Sequence, residues 1–124
     1  MINKKFVILL LALGLITACD QAVQHAEYYA RRQELKEEYK ELTAEAQNLY
    51  NQGLYKEAIE KCDDAIAIES NDPNAYYLKG LALFHKKPPF LKKKRLKLAC
   101  PEFKTAANLM HADAEVEWNR HCTN

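Results

Sequence analysis

Thiols, imidazoles and paired carboxylates are the groups in this 124-residue chain that could do covalent, metal or acid–base chemistry. The four histidines are scattered, and His121-Cys122 lacks the spacing of a metal motif. Neighbouring acids occur at Glu37-Glu38 and Asp63-Asp64, in patterns typical of solvated helix faces. The sequence contains no Gly-rich phosphate loop, nucleophile elbow or Cys-x-x-Cys. We therefore expect no enzymatic activity, no metal site and no cofactor.

The first cysteine, Cys19, follows a short export-type segment. Lys4 and Lys5 precede the apolar run 6–16, and small residues follow it just before Cys19. Eleven helical residues at about 1.5 Å each reach only about half of a ~30 Å hydrocarbon core. Residues 1–18 are therefore predicted to be a signal peptide rather than a lasting transmembrane helix.

The end of this segment, Ile16-Thr17-Ala18-Cys19, resembles the lipobox of bacterial lipoproteins. The resemblance implies that the Cys19 thiol receives a diacylglycerol, that the chain is cut before Cys19, and that the new amino group is acylated. Two or three acyl chains anchor a protein stably. By the same resemblance, Asp20 favours the periplasmic face of the inner membrane over the outer membrane. The alternative is an ordinary signal peptide followed by a chance cysteine.

The composition favours helices, because the chain has only three glycines and four prolines. Between 21 and 52 neither residue occurs, and Tyr28, Leu35, Leu42 and Leu49 recur every seven residues. In the first turns of this helix, the remaining positions on the same side are polar. We therefore expect a solvated helical stalk over residues 19–38, with a homodimeric coiled coil as the alternative.

Internal similarity predicts the fold of the rest. The set Leu42, Ala46, Leu49 and Tyr50 returns thirty-four residues later as Tyr76, Gly80, Leu83 and Phe84. Between the two sets come the break Gly53-Leu54-Tyr55, the spaced residues Ala58, Cys62 and Ala65, and the turn Asp72-Pro73-Asn74. The region 39–85 resembles the tetratricopeptide repeat. The resemblance implies an all-α domain over residues 39–124, built of antiparallel helical hairpins, about two repeats and a capping helix.

The second repeat contains an insertion. Ala99, Phe103 and Ala106 repeat the spacing of Ala58, Cys62 and Ala65, but forty-one residues later, so seven residues are inserted. We place this insertion at 86–97 and expect it to form an extended turn. Residues from Asp113 onward are expected to form the capping helix.

The insertion contains seven cations and no anion, although the mature chain is nearly neutral. These cations are Lys86, Lys87, Lys92, Lys93, Lys94, Arg95 and Lys97. They are either a solvated loop or a site for anionic lipid head groups or an acidic protein face. Nucleic acid is not expected, because the run lacks interleaved aromatic residues beyond Phe90.

The repeat resemblance also implies a partner-binding groove lined by the first helix of each repeat. The corresponding positions here are Gln47, Tyr50, Asn51, Tyr77, Leu81, Phe84 and His85. Tyr76, Gly80 and Leu83 would already supply the core stripe of their helix, which leaves Tyr77, Leu81 and Phe84 for a partner. Alternatively, the N-terminal helix or the basic turn covers these residues.

Three cysteines remain after Cys19, and at most one intramolecular bridge can form. If the last two helices form an antiparallel hairpin that turns near His111, Cys100 faces Cys122. Cys62 occupies a position that is normally buried. We therefore predict a disulfide between Cys100 and Cys122, with three reduced thiols as the alternative.

Together these features predict a lipid-anchored adaptor in the bacterial cell envelope. Its partners would be another envelope protein or peptide and, through the anchor, the membrane. The alternative function is a small inhibitory lipoprotein of the exclusion or immunity type that acts on an envelope machine, and an enzyme comes third. A deletion phenotype separates the first two, because an adaptor is needed for its machine to form.

Overall fold

A computed structural model describes residues 3–86 and 91–123, and this part of the chain is all-α without any strand. The helices are α1 (Lys4–Asn51), α2 (Tyr55–Ile68), α3 (Pro73–His85), α4 (Lys92–Asn108) and α5 (Ala112–His121). The predicted fold class is confirmed, including the long N-terminal helix.

The chain divides into two compact units, Met1–Leu35 and Lys36–Asn124. In the first unit every described side chain is exposed. Its helix is long and apolar enough to cross a membrane, and a signal sequence at this place in a chain has the same properties. The first unit therefore offers an apolar anchor or signal segment and no core of its own.

The second unit is a series of antiparallel hairpins. Glu45 pairs with Lys61 at 3.0 Å between α1 and α2. The Lys79 ammonium on α3 contacts Asp63 on α2 at 2.8 Å and Glu102 on α4 at 2.9 Å. For each ion pair, the sequence position halfway between the two residues falls in the segment that connects their helices. This is expected for neighbouring helices that run antiparallel.

Small residues dominate the core of the second unit. Its fully or nearly fully buried apolar residues are Tyr39, Ala46, Ala58, Cys62, Ala65, Ala75, Leu78, Ala82, Ala99, Phe103, Ala106 and Ala114. The three spaced residues that the sequence predicted to be buried in α2, and the corresponding three in α4, are therefore all buried. The predicted stripe on α3 is wrong in part, because Ala75, Leu78 and Ala82 are buried while Tyr76 and Leu83 are only half-buried. Helix α3 packs against both α2 and α4. Its buried residues are therefore not the ones expected for a helix that packs against one neighbour only.

Gly80 brings α3 and α4 into close approach. A Cβ at this position would lie 2.6 and 2.7 Å from two ring carbons of Phe103. Real carbon atoms do not pack at such distances, so only glycine lets the fully buried Phe103 ring lie against the α3 backbone.

Two helices end in the same hydrogen-bonded turn. At the end of α1, Leu54 N–H donates to Leu49 O and Gly53 N–H donates to Tyr50 O, at 3.0 and 2.9 Å. At the end of α4, His111 N–H donates to Ala106 O and Met110 N–H donates to Ala107 O, at 3.0 and 2.9 Å. The turn needs a left-handed residue, which is Gly53 (φ 77°) in one case and Met110 (φ 70°) in the other.

The predicted extended turn at 86–97 is wrong for most of its length. Helix α4 begins at Lys92, so Lys92, Lys93, Lys94, Arg95 and Lys97 are helical. The reason is local: residues 91–100 contain no Gly or Pro and are rich in Lys, Leu, Arg and Ala, which favour helix. Lys86 is exposed just after α3, and Lys87 lies outside the described residues.

The two left-handed turns predict opposite effects of substitution. Gly53→Ala should destabilise the protein by about 1 kcal/mol, because the added Cβ meets open space and only the backbone angle opposes it. Met110→Gly should stabilise it by about 0.5–1 kcal/mol, because Met110 is exposed and loses little packing. Urea unfolding of both variants measures the two changes. A loss of stability in Met110→Gly would contradict the assignment of strain to this residue.

Candidate partner-binding groove

A groove of about 470 Å³ opens between α1, α3 and the start of α5. Its lining residues are Lys40, Thr43, Ala44, Gln47, Asn74, Tyr77, Leu78, His111 and Asp113. All of them belong to the second unit. The groove is therefore formed by the first, third and fifth helices and contains no residue of α2 or α4.

Tyr77 provides the main aromatic surface of the groove. Its ring centroid lies 4.2 Å from that of His111 and 6.2 Å from that of the buried Phe103. Burial raises the pKa of the Tyr77 hydroxyl, and the carboxylates of Asp113 and Glu117 raise it further. The phenol therefore stays protonated at neutral pH and can donate a hydrogen bond to a ligand.

His111 is held by the end of the α4–α5 turn. It is the N-cap of α5, and its Nδ1 accepts a hydrogen bond from the backbone N–H of Ala114 at 3.2 Å. The opposite groove wall carries Lys40, and the α5 side carries Asp113. The groove thus combines an aromatic surface with one cation, one carboxylate and several amide or hydroxyl groups.

A second group of rings, the aromatic cluster, consists of Tyr50, Tyr55, Phe84, His85 and His121. Tyr50 lies 5.6 Å from Tyr55 and 6.0 Å from His85, measured between ring centroids. Phe84 lies 5.2 Å from His85 and 4.7 Å from His121. These rings contact one another, and Tyr50 also packs against the core residues Ala46, Cys62 and Leu78.

The aromatic cluster adjoins the groove. Burial, followed by the charges of Tyr55 and Glu117, raises the pKa of Tyr50, and Glu117 also raises that of Tyr77. The Glu117 carboxylate thus disfavours ionisation of both phenols. It contacts Arg120 at 2.8 Å and His121 at 3.4 Å, so it faces cationic or titratable partners on its own helix.

Phe84 is covered by the neighbouring helices. The Arg95 guanidinium carbon lies 5.9 Å from the Phe84 ring centroid, and Arg95 Nη1 donates to the Phe84 carbonyl oxygen at 2.7 Å. His121 of α5 lies against the same ring. Phe84 is half-buried and does not line the groove, and Arg95 belongs to the α3–α4 packing rather than to a solvated basic run.

The structure brings only some of the predicted groove residues together, and the exposed Asn51 does not line the groove. Gln47 and Tyr77 line the groove, and Gln47 Nε2 donates to Asn51 Oδ1 at 3.0 Å. Tyr50, Phe84 and His85 are in the aromatic cluster, while Leu81 is half-buried and does not line the groove.

Sequence reasoning missed seven lining residues: Lys40, Thr43, Ala44, Asn74, Leu78, His111 and Asp113. Helical periodicity could have found the α1 set, because Lys40, Thr43, Ala44 and Gln47 share one face at spacings of three and four. The residue spacing within α1 and α3 could not have predicted that His111 lines the groove, because its position depends on how α5 packs.

The cysteines differ sharply in their surroundings. The sulfur atoms of Cys100 on α4 and Cys122 after α5 lie 2.01 Å apart, at disulfide distance, as the predicted pairing requires. Cys62 is free and buried, and burial raises the pKa of its thiol to about 12. Cys19 is free and exposed on α1. Among the described residues, no group of three or more His, Cys, Asp or Glu side chains could hold a metal ion.

Comparison of the chain with protein-family models, with curated proteins and with solved structures finds no match. The groove is therefore interpreted from its own contacts and chemistry.

The cysteine geometry predicts a specific pattern of reactivity. A non-reducing peptide map should show Cys100 linked to Cys122. Cys62 should be alkylated by iodoacetamide at pH 8 only after unfolding, because a thiol of pKa about 12 carries almost no thiolate there. Replacement of both Cys100 and Cys122 by Ser should lower the free energy of unfolding by about 3 kcal/mol, since the bridge spans 22 positions. A bridge that contains Cys62 would contradict this pattern.

Proposed function

We propose that this protein is a bacterial lipoprotein of the cell envelope that binds a partner protein or peptide in the α1–α3–α5 groove. Acylated Cys19 would anchor it in the membrane, on the periplasmic face of the inner membrane if Asp20 acts as a retention signal. The observation that carries the proposal is the groove itself, in which three helices converge around Tyr77.

The groove has the chemistry of a peptide-binding site. Tyr77 and Leu78 offer apolar contact, and Gln47 and Asn74 offer amide groups that can pair with a backbone. A volume of about 470 Å³ suits one or two partner side chains rather than a large cofactor. Aromatic residues in such positions concentrate binding energy.

The helical arrangement supports a tetratricopeptide-like interpretation. Successive helices pack as antiparallel hairpins, and the groove is formed by alternate helices, which is the side that the repeat resemblance assigns to ligands. Binding by such a groove requires no bond-making chemistry, in keeping with the adaptor role.

The proposed anchor rests on two features of the first unit. The start of α1 is apolar and exposed, so it needs a lipid environment or removal as a signal peptide. The Cys19 thiol is exposed and directly follows the small residues of the lipobox-like segment. Acylation at this thiol would keep the second unit at the membrane after cleavage.

A matched pair of variants on α1 tests the groove. Ala44 lines the groove and is exposed, so Ala44→Arg should block it without touching the core. Asn48 is also exposed on α1 but does not line the groove, so Asn48→Arg adds the same charge and serves as control. After chemical cross-linking in the native membrane, Ala44→Arg should reduce partner recovery at least tenfold, a cost of about 1.4 kcal/mol or more, with an unchanged Tm. Undiminished recovery of the same partners by Ala44→Arg would refute the groove.

A further inference from the structure

The exposed residues at the start of α4 form a distinct surface. We call it the lysine face and define it by Lys92, Lys93, Lys94 and Lys97, with Leu91 and Leu98. All six residues are exposed. Lys93 and Lys97 are one helical turn apart, and so are Lys94 and Leu98, which puts these side chains side by side.

Ion pairing distinguishes the four lysines of this face from some of the other lysines of the second unit. Within residues 3–86 and 91–123, none of the four forms an ion pair. In contrast, Lys40, Lys61 and Lys79 each contact a carboxylate at 3.0 Å or less. The cations are also concentrated at the positive end of the α4 dipole, with no acid in the first turn. Negative charge near this helix end would therefore be stabilising.

Two exposed leucines lie among these cations. Leu91, at the N-cap of α4, is 42% exposed, and Leu98, in the second turn, is 53% exposed. The side of α4 that carries Ala99 and Phe103 is fixed, because both residues are fully buried against the neighbouring helices. The lysine face therefore cannot turn inward without removing Phe103 from the core.

We propose that the lysine face lies on a membrane surface rich in anionic phospholipid. Long lysine stems carry their ammonium groups to the phosphates, while Leu91 and Leu98 enter the head-group boundary. The face is separate from the partner groove, which contains no residue of α4. Two leucines among lysines suit the boundary between lipid phosphates and acyl chains, which offers contacts to both kinds of side chain.

The choice of a lipid surface rests on the proposed envelope location. Each lysine near an anionic surface should strengthen the contact about fivefold, so removal of two should weaken it roughly 25-fold. The effect should fall with salt, because the Debye length is only about 4 Å at about 0.5 M.

Lysine acetylation of the full chain in lipid vesicles tests the proposal. The apolar start of α1 holds the protein in vesicles of phosphatidylcholine alone or with one third phosphatidylglycerol, whether or not Cys19 is acylated. Acetylation rates are then measured residue by residue by mass spectrometry. Lys56, which is exposed on α2, is the internal reference.

With phosphatidylglycerol, the four lysines of the lysine face should be acetylated at least threefold more slowly than in phosphatidylcholine, while Lys56 changes little. The protection should disappear at about 0.5 M salt. Lys93→Gln with Lys97→Gln should abolish protection of the remaining Lys92 and Lys94. Lys36→Gln with Lys104→Gln removes equal charge at exposed positions elsewhere, keeps Lys56 as the reference, and should preserve the protection.

Equal rates in the two vesicle types would overturn the proposal. So would protection that occurs only in native membranes and is lost after their proteins are digested, which would assign the face to an acidic protein. Neither result bears on the groove or on acylation of Cys19, because the vesicles contain no partner and the apolar helix supplies the anchor.

Discussion

The packing of Phe103 against the backbone of Gly80 is the contact on which the second unit depends. Phe103 is the largest of the fully buried side chains, in a core made otherwise mostly of alanines. Because α3 has no side chain at position 80, the ring can lie against its backbone. A methyl group there would have to separate α3 from α4, at a cost of about 1–3 kcal/mol. In a domain of this size such a cost is a large part of the stability.

The same contact determines where the functional surfaces lie. With Phe103 seated, Tyr77 is supported from behind and His111 meets its ring in the groove. The disulfide then ties α5 to α4. Since Phe103 also sets the rotation of α4, Arg95 reaches the Phe84 carbonyl and the lysine face points to solvent. Groove and lysine face are thus two consequences of one helix–helix packing.

Local signals in the sequence predicted the helices and several of their ends. Asp72 caps α3 by accepting the Asn74 N–H at 2.9 Å with Pro73 in the first turn, and Gly53 ends α1. Spacing alone also found the buried Ala58, Cys62 and Ala65, because the second helix of each hairpin has one narrow apolar side. The cysteine pairing followed from the turn near His111, since a hairpin's turn sets its register.

Other features depended on tertiary packing and could not be predicted. The basic run was interpreted as a turn because extra residues in a repeat usually form loops, yet the helix propensity of its Lys, Leu, Arg and Ala residues extends α4 back to Lys92. Phe84 was assigned to the groove because nothing in α1 or α3 reveals that Arg95 and His121 cover it. Gln47 and Tyr77 do line the groove, because their positions depend on α1 and α3 alone.

Acylation of Cys19 would turn a groove-bearing helical domain into a membrane-anchored adaptor, and the mass of the mature N-terminus tests this directly. Protein purified from its own membranes should begin at Cys19 and carry a diacylglyceryl group on the thiol and an acyl group on the amine. The matched variant Cys19→Ala should lack both groups and retain residues 1–18. A mature chain that begins at another residue, or that carries an unmodified Cys19, would contradict the lipid anchor and with it the proposed location.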